Sequence, residues 1–298
     1  MHTNNSPRGA YFWCTAFSRQ LPFLGSNNTS SNEKIAMTSS LSESTQLRFG
    51  GITRLYGTQA LQKLQHSHIL IIGIGGVGSW AAEALARSGI GAITLMDLDD
   101  LCVSNINRQI HATQDTIGQS KTHTMAKRLQ AINPEMLVNT IDDFIDHDNL
   151  ETYIHKDYSL VIDAIDSVMI KTKLINFCKR QKTKIITIGS AGGKKDPQKI
   201  TVRDLSKTKN DPLLSKVRNN LRRLYGFSRS PKESFSVPAI YSTEQMTYPD
   251  NKGETCRTKQ FLEEGARLDC SQGFGAATMV TATFAFIAVS EVIKKIIK

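Results

Sequence analysis

Apolar residues in this chain fall into short runs separated by stretches with helical spacing. His68-Ile-Leu-Ile-Ile72 is unbroken and of strand length, the pattern of a strand buried on both faces. Ala92–Met96, Leu137–Ile141, Ser159–Ile162 and Lys184–Ile188 predict four further strands. Between them, Ser79–Ser88 reads as a helix with a Trp80, Ala84, Arg87 side and Gly89 as its stop. Thr122–Ile132 reads as a helix ending before Pro134, and Val168–Gln181 as another. Strands alternating with helices predict an α/β fold with a mostly parallel sheet and helices on both faces. The ligand is then expected at the carboxyl ends of the strands. After Gly193 the pattern changes. Ile200–Leu205 and Phe235–Ser242 read as strands, Pro212–Tyr225 as a basic helix, and Gly275 onward as a closing apolar helix. This C-terminal α+β part is expected to face the substrate.

The expected organisation is therefore a disordered extension over 1–47, a nucleotide-binding core over 48–193, and a basic substrate-facing part of the same domain over 194–298. The extension is inferred from Ser, Thr and Asn tracts without periodicity. Arg8 and Arg19 with few acids before Glu33 leave a transit peptide open, though no Arg-rich amphipathic face supports it. Met37 is an alternative start. The 15 residues Ala276–Ser290 fall short of the ~18 that a membrane span needs, so a buried core helix is expected and no membrane partner. Five scattered cysteines, Cys14, Cys102, Cys178, Cys256 and Cys270, argue against a disulfide framework and for a reducing cytoplasm. Without a C-x-x-C pair, the usual structural zinc site is excluded.

The charge is uneven. Of the 37 Lys+Arg and 27 Asp+Glu that give the chain +10, the stretch Lys194–Lys232 holds 12 basic and 3 acidic residues, a local net of +9. The rest, with 25 basic and 24 acidic groups, is almost neutral. So many uncompensated cations point to a polyanion, of which nucleic-acid phosphate is the commonest.

The chemistry gathers at the strand ends. Gly73-x-Gly75-Gly76-x-Gly78, between a strand and a helix, is a phosphate-binding fingerprint: a tight turn, close backbone approach, and a helix N-terminus aimed at the phosphates. Asp97 ends the next strand, where it can accept from ribose hydroxyls. The fingerprint alone leaves a nicotinamide cofactor, a flavin, a methyl donor and ATP open. Asp99, Asn105, Arg108, Gln109 and Lys121 narrow the choice. A triphosphate needs side-chain cations, which Arg108 and Lys121 supply, and a carboxylate for Mg²⁺, which Asp166 after the fourth strand supplies.

These segments together, with Ile132-Asn133-Pro134 and Asp163-Ala-Ile-Asp166, resemble the ubiquitin-activating-like adenylating superfamily that includes the ThiF and MoeB proteins. Arg48–Gly57, Gly189–Gly193, Asp211-Pro-Leu213, Tyr241–Glu244 and Ser271–Thr283 look more closely like its tRNA threonylcarbamoyladenosine dehydratase branch. The resemblance implies a Rossmann-like fold and ATP-dependent dehydration. The threonyl carboxylate of a modified adenosine beside the anticodon is adenylated, and the side chain then cyclises. It implies Asp97 on the ribose, Asp166 on Mg²⁺, and Arg108 and Lys121 on the phosphates, with Asp99, Asn105 and Gln109 lining the nucleotide site. It implies a homodimer in which Arg54 reaches the neighbouring ATP site, and a link to a cysteine desulfurase sulfur-acceptor system. The tRNA is expected on Lys207, Lys209, Lys216, Arg218, Arg222 and Arg223. Val237–Ser242 lacks the cysteine that some relatives carry there, so a thioester at that place is not expected. That departure weighs against the alternative reading, an adenylating enzyme for a sulfur carrier or other small-protein C-terminus. A nicotinamide oxidoreductase would have no use for Lys121 with Asp166. A non-catalytic RNA scaffold would tolerate loss of Asp166.

Overall fold

The computed structural model describes residues 41–249, 254–256 and 274–298. Two helices open it, α1 (Glu43–Tyr56) and α2 (Thr58–Gln65). Then β1 (His68–Ile72), α3 (Gly78–Arg87), β2 (Ala92–Met96), α4 (Lys121–Ile132), β3 (Leu137–Ile141), α5 (Leu150–Tyr153), β4 (Leu160–Asp163), α6 (Val168–Gln181) and β5 (Ile185–Ile188) alternate. The chain continues through β6 (Ile200–Asp204), α7 (Pro212–Leu224), β7 (Pro238–Ser242), a small hairpin of β8 (Tyr248–Pro249) and β9 (Thr255–Cys256), and α8 (Thr278–Ile297).

Seven strands form one sheet in the order β3-β2-β1-β4-β5-β7-β6. All neighbours pair in parallel except β6, which runs antiparallel to β7 at the edge. The alternation of side chains along β1 sorts the core into two layers. Ile69 and Ile71 join α3, α4 and α8 through Leu85, Met125 and Phe284. Leu70 and Ile72 join α6 and α7 through Leu174, Val217 and Leu221. The expected α/β fold, with a mostly parallel sheet and helices on both faces, is what the chain adopts. The closing apolar helix is a core helix, with Val280, Phe284, Ala288 and Val292 on its buried side. No described helix is long and apolar enough to cross a membrane.

Two sequence expectations need correction. Residues 41–47 were expected in the disordered extension, whereas helix α1 begins at Glu43 and residues 1–40 lie outside the described residues. Ser42 is a helix cap: its Oγ accepts from the Thr45 amide at 3.0 Å and donates to Glu135 at 2.7 Å. The strand expected from Phe235 starts only at Pro238, because Ser236 takes a left-handed φ of 56° that no strand accommodates.

Candidate active site

The strand order reverses between β1 and β4, and a cleft of about 790 Å³ opens there at the carboxyl ends of the strands. Its floor is the Gly73–Gly78 turn. Gly73 has φ +91°, and a Cβ there would stand 2.9 Å from the Ala164 carbonyl oxygen. A Cβ on Gly78 would stand 1.8 Å from the Gly73 carbonyl oxygen, so the helix can pack on the strand only through glycine. No side chain caps the N-terminus of α3. Within that turn the Ser79 amide donates to the Gly75 carbonyl at 3.1 Å, and the helix dipole favours an anion at this end.

Asp97 anchors the turn. Its Oδ2 accepts from the Ile74 amide at 2.7 Å and its Oδ1 from the Asp99 amide at 3.0 Å. Burial raises the Asp97 carboxyl above its ordinary pKa, with Lys121 and these two amides opposing. The Lys121 ammonium, on a buried side chain at the start of α4, lies 2.6 Å from Asp99 and 3.7 Å from Asp97. Arg108 is buried against the cleft. Its Nη1 donates to the Ser104 carbonyl at 2.6 Å and to Asn107 Oδ1 at 3.0 Å, while its Cγ packs where a Gly76 Cβ would need room. Asn105 accepts from the Cys102 amide at 3.1 Å and so shapes the turn that carries Arg108. Gln109 lines the cleft, and its buried Oε1 has no partner among the described residues.

Asp166 lies exposed on the opposite lip, in the segment after β4. Gly75, Gly76, Asp97, Asp99, Asn105, Arg108, Gln109, Lys121 and Asp166 thus share one cleft. Arg54 does not join them; it is exposed at the end of α1, beside exposed Leu55 and Tyr56. In the basic stretch, Lys207, Lys209, Lys216 and Arg223 are exposed. Arg218 and Arg222 are partly buried and bind their own fold. Arg218 donates to Thr208 Oγ1 at 2.7 Å, and Arg222 donates to the Ser228 carbonyl at 3.2 Å and lies 5.5 Å over the Phe235 ring.

Residues 49–298 match the ThiF family. The chain belongs to that family. Across 255 residues it is 52% identical to the tRNA threonylcarbamoyladenosine dehydratase of Escherichia coli, covering 86% of this chain and 95% of that protein. The Haemophilus influenzae protein of the same name is 55% identical over 251 residues, with 84% and 94% covered. A solved structure of the E. coli dehydratase in complex with ATP superposes with a TM-score of 0.75 at 48% identity, covering 86% of this chain and 96% of that one. The resemblance carried by the motifs therefore holds at the level of the dehydratase branch. In this ThiF-family chain the cysteine-free Pro238–Ser242 is β7, the strand next to the sheet edge, buried but for Pro238. Cys102 and Cys178 are free thiols, and Cys14 and Cys270 lie outside the described residues.

Two features of the site escaped the sequence. Beneath the cleft, Lys171 Nζ meets Asp163 Oδ1 at 2.8 Å with both side chains fully buried, and Thr187 Oγ1 donates to Asp163 Oδ2 at 2.7 Å. Beside Lys121 and Arg128, His111 is 3% exposed, and neither ring nitrogen has a hydrogen-bond partner among the described residues. Burial, then these two cations, pushes its pKa down to about 3. The imidazole must therefore fold neutral, while in the unfolded chain it binds a proton below about 6.5. Stability is then lost as pH falls from about 6.5 towards 3, at about 1.4 kcal/mol per unit. Denaturant melts at pH 7.5 and 5.5 are expected to differ in this sense. The difference should shrink by about 1.4 kcal/mol in His111→Phe. An undiminished pH dependence in the variant would exclude His111 as its source.

Proposed function

We propose that this chain is an ATP-dependent tRNA threonylcarbamoyladenosine dehydratase. What supports the reading is the convergence of Asp97, Arg108, Lys121 and Asp166 on one cleft at the topological switch point, in a chain half identical to proteins of that name along nearly their whole length. A carboxylate is a poor electrophile. In the proposed reaction its oxygen attacks the α-phosphorus of ATP and pyrophosphate leaves. A nucleophile of the same side chain then attacks the acyl carbon, and AMP departs with the carboxylate oxygen. One water is lost overall, and the intramolecular step gains from proximity. Arg108 and Lys121 would stabilise charge as it develops on the phosphates. Asp97 would hold the ribose, and Asn105 and Gln109 would keep the Arg108 turn in register.

Five aspartates line the cleft, Asp97, Asp99, Asp100, Asp143 and Asp166, against two cations, Arg108 and Lys121. A triphosphate entering such a site fits best with a divalent cation. Hard carboxylate oxygens beside phosphates are the donor set that Mg²⁺ takes, and the exposed Asp166 is free to ligate. Mg²⁺ would supply charge neutralisation at the phosphates. The exposed Arg54, flanked by Leu47, Leu55 and Tyr56 at 81%, 70% and 40% exposure, fits a homodimer in which α1 serves the neighbouring cleft. Free thiols and the use of ATP and tRNA fit the cytoplasm. The exposed Lys207, Lys209, Lys216 and Arg223, with Arg218 and Arg222 behind them, would meet the tRNA. The deciding experiment incubates the protein with ATP, Mg²⁺ and tRNA from cells lacking the activity, followed by nucleoside mass spectrometry. Threonylcarbamoyladenosine should lose the mass of one water; an unchanged nucleoside would sink the proposal.

A further inference from the structure

A second cleft, of about 430 Å³, lies beside the first. The two share a wall. Asp211 Oδ2 accepts from the Ser190 amide at 2.9 Å, Ser190 lines the ATP cleft, and Asp211 lines the second one. The wall is built to close tolerance: a Cβ on Gly189 would stand 2.1 Å from Asp211 Oδ2. The second cleft is polar with one aromatic wall. Thr208, Asn210, Arg218, Gln245 and Tyr248 line it, with Lys209 exposed at its rim.

We propose that this second cleft seats an unstacked nucleobase of the RNA substrate, from a nucleotide next to the one whose carboxylate enters the ATP cleft. The proposal rests on the dehydratase reading and adds to it where a neighbouring base is held. RNA loops are recognised by splaying bases onto aromatic rings and guanidinium planes and by hydrogen-bonding their edges. Each element is present. Tyr248 supplies the ring. Arg218 supplies a planar cation whose Nη1 is fixed by the Thr208 carbonyl at 3.1 Å and Thr208 Oγ1 at 2.7 Å. Asn210 donates its Nδ2 to the Thr243 carbonyl at 2.9 Å, which leaves its Oδ1 to accept from a base edge. The Asp211 carboxylate in the wall repels a phosphate but not a neutral base with N–H donors. Phosphate belongs outside, at Lys209. The shared wall also answers a geometric need, because a polynucleotide must stay outside while one of its side chains reaches the ATP.

The test uses the full-length protein and an anticodon stem-loop carrying threonylcarbamoyladenosine. Tyr248→Ala should weaken stem-loop binding on the order of tenfold. Tyr248→Trp should restore it, and Tyr248→Leu, which keeps apolar volume without a π-face, should not. ATP affinity should hold in all three. Stacking is not ionic, so the slope of log Kd against log salt should stay unchanged in Tyr248→Ala, whereas Lys209→Ala should flatten it by about 0.7. With a stem-loop abasic at the neighbouring positions, Tyr248→Ala should have no further effect. Wild-type affinity in Tyr248→Ala and Tyr248→Leu would overturn the proposal, as would an equal loss of ATP binding, which marks a merely structural role. No stem-loop binding by the wild-type protein would instead fail the dehydratase reading itself.

Discussion

Asp166→Asn should lower the dehydration rate on the order of 10²–10³-fold while leaving thermal stability unchanged. The structure separates the two effects. Asp166 is exposed on the cleft lip and makes no hydrogen bond to any described residue, so the amide removes charge without disturbing packing. Surface changes of that kind usually alter stability by less than about 0.5 kcal/mol. The rate effect has a different origin. A cleft with five carboxylates and two cations repels a triphosphate unless a divalent cation intervenes, and such a cation contributes several kcal/mol, each ~1.4 kcal/mol being tenfold in rate. If Asp166 holds that cation, the variant should recover part of its rate at raised Mg²⁺. A rate within about threefold of wild type would remove Asp166 from the machinery. Full modification by the variant would favour a scaffold that retained a nucleotide site.

What could be read from the chain depended on how local its cause was. Strands β1 to β6, together with α3, α4, α6 and α7, fall within one or two residues of their expected bounds, because each is an apolar run or stripe and most are closed by Gly, Asp or Pro beside it. The glycine turn, Asp97, Arg108, Lys121 and Asp166 were legible for the same reason: strand ends and helix starts put them at one edge of the sheet. Helix α1 was not legible. It carries Gly50 and Gly51, kinks at Phe49, and starts from a serine-rich stretch that reads as unstructured by composition alone. The second cleft was hidden because it joins residues 208–218 to 245–248, and only tertiary packing brings these together. Lys171 and His111 were hidden because burial is not local. A lysine inside a helix reads as a solvated face unless the partner beneath it is known.

Lys171→Met is therefore the more severe change, though it touches no ligand-facing surface. It should cost about 3–5 kcal/mol, a large share of a typical domain's stability. The methionine matches the lysine stem, so packing is nearly kept. What remains is the Asp163 carboxylate, fully buried, with Thr187 Oγ1 and the Ile165 amide as its only hydrogen-bond partners among the described residues. The penalty is that of an uncompensated charge rather than the net worth of the pair, and a double variant separates the two. Asp163→Asn with Lys171→Met leaves no ion, and the Asn oxygen can still accept from Thr187. Its cost should fall below the single variant's, with a coupling energy on the order of 2 kcal/mol. Denaturant melts of the two single variants and the double variant give that energy. Additive losses would mean that the two residues act independently and that the ion pair does not organise this end of β4. The consequence reaches the cleft, because Asp163 Oδ1 also accepts from the Ile165 amide at 3.2 Å, one residue before Asp166. The folded double variant should therefore bind ATP more weakly than wild type, with the loosened Asp163–Asp166 turn as the cause.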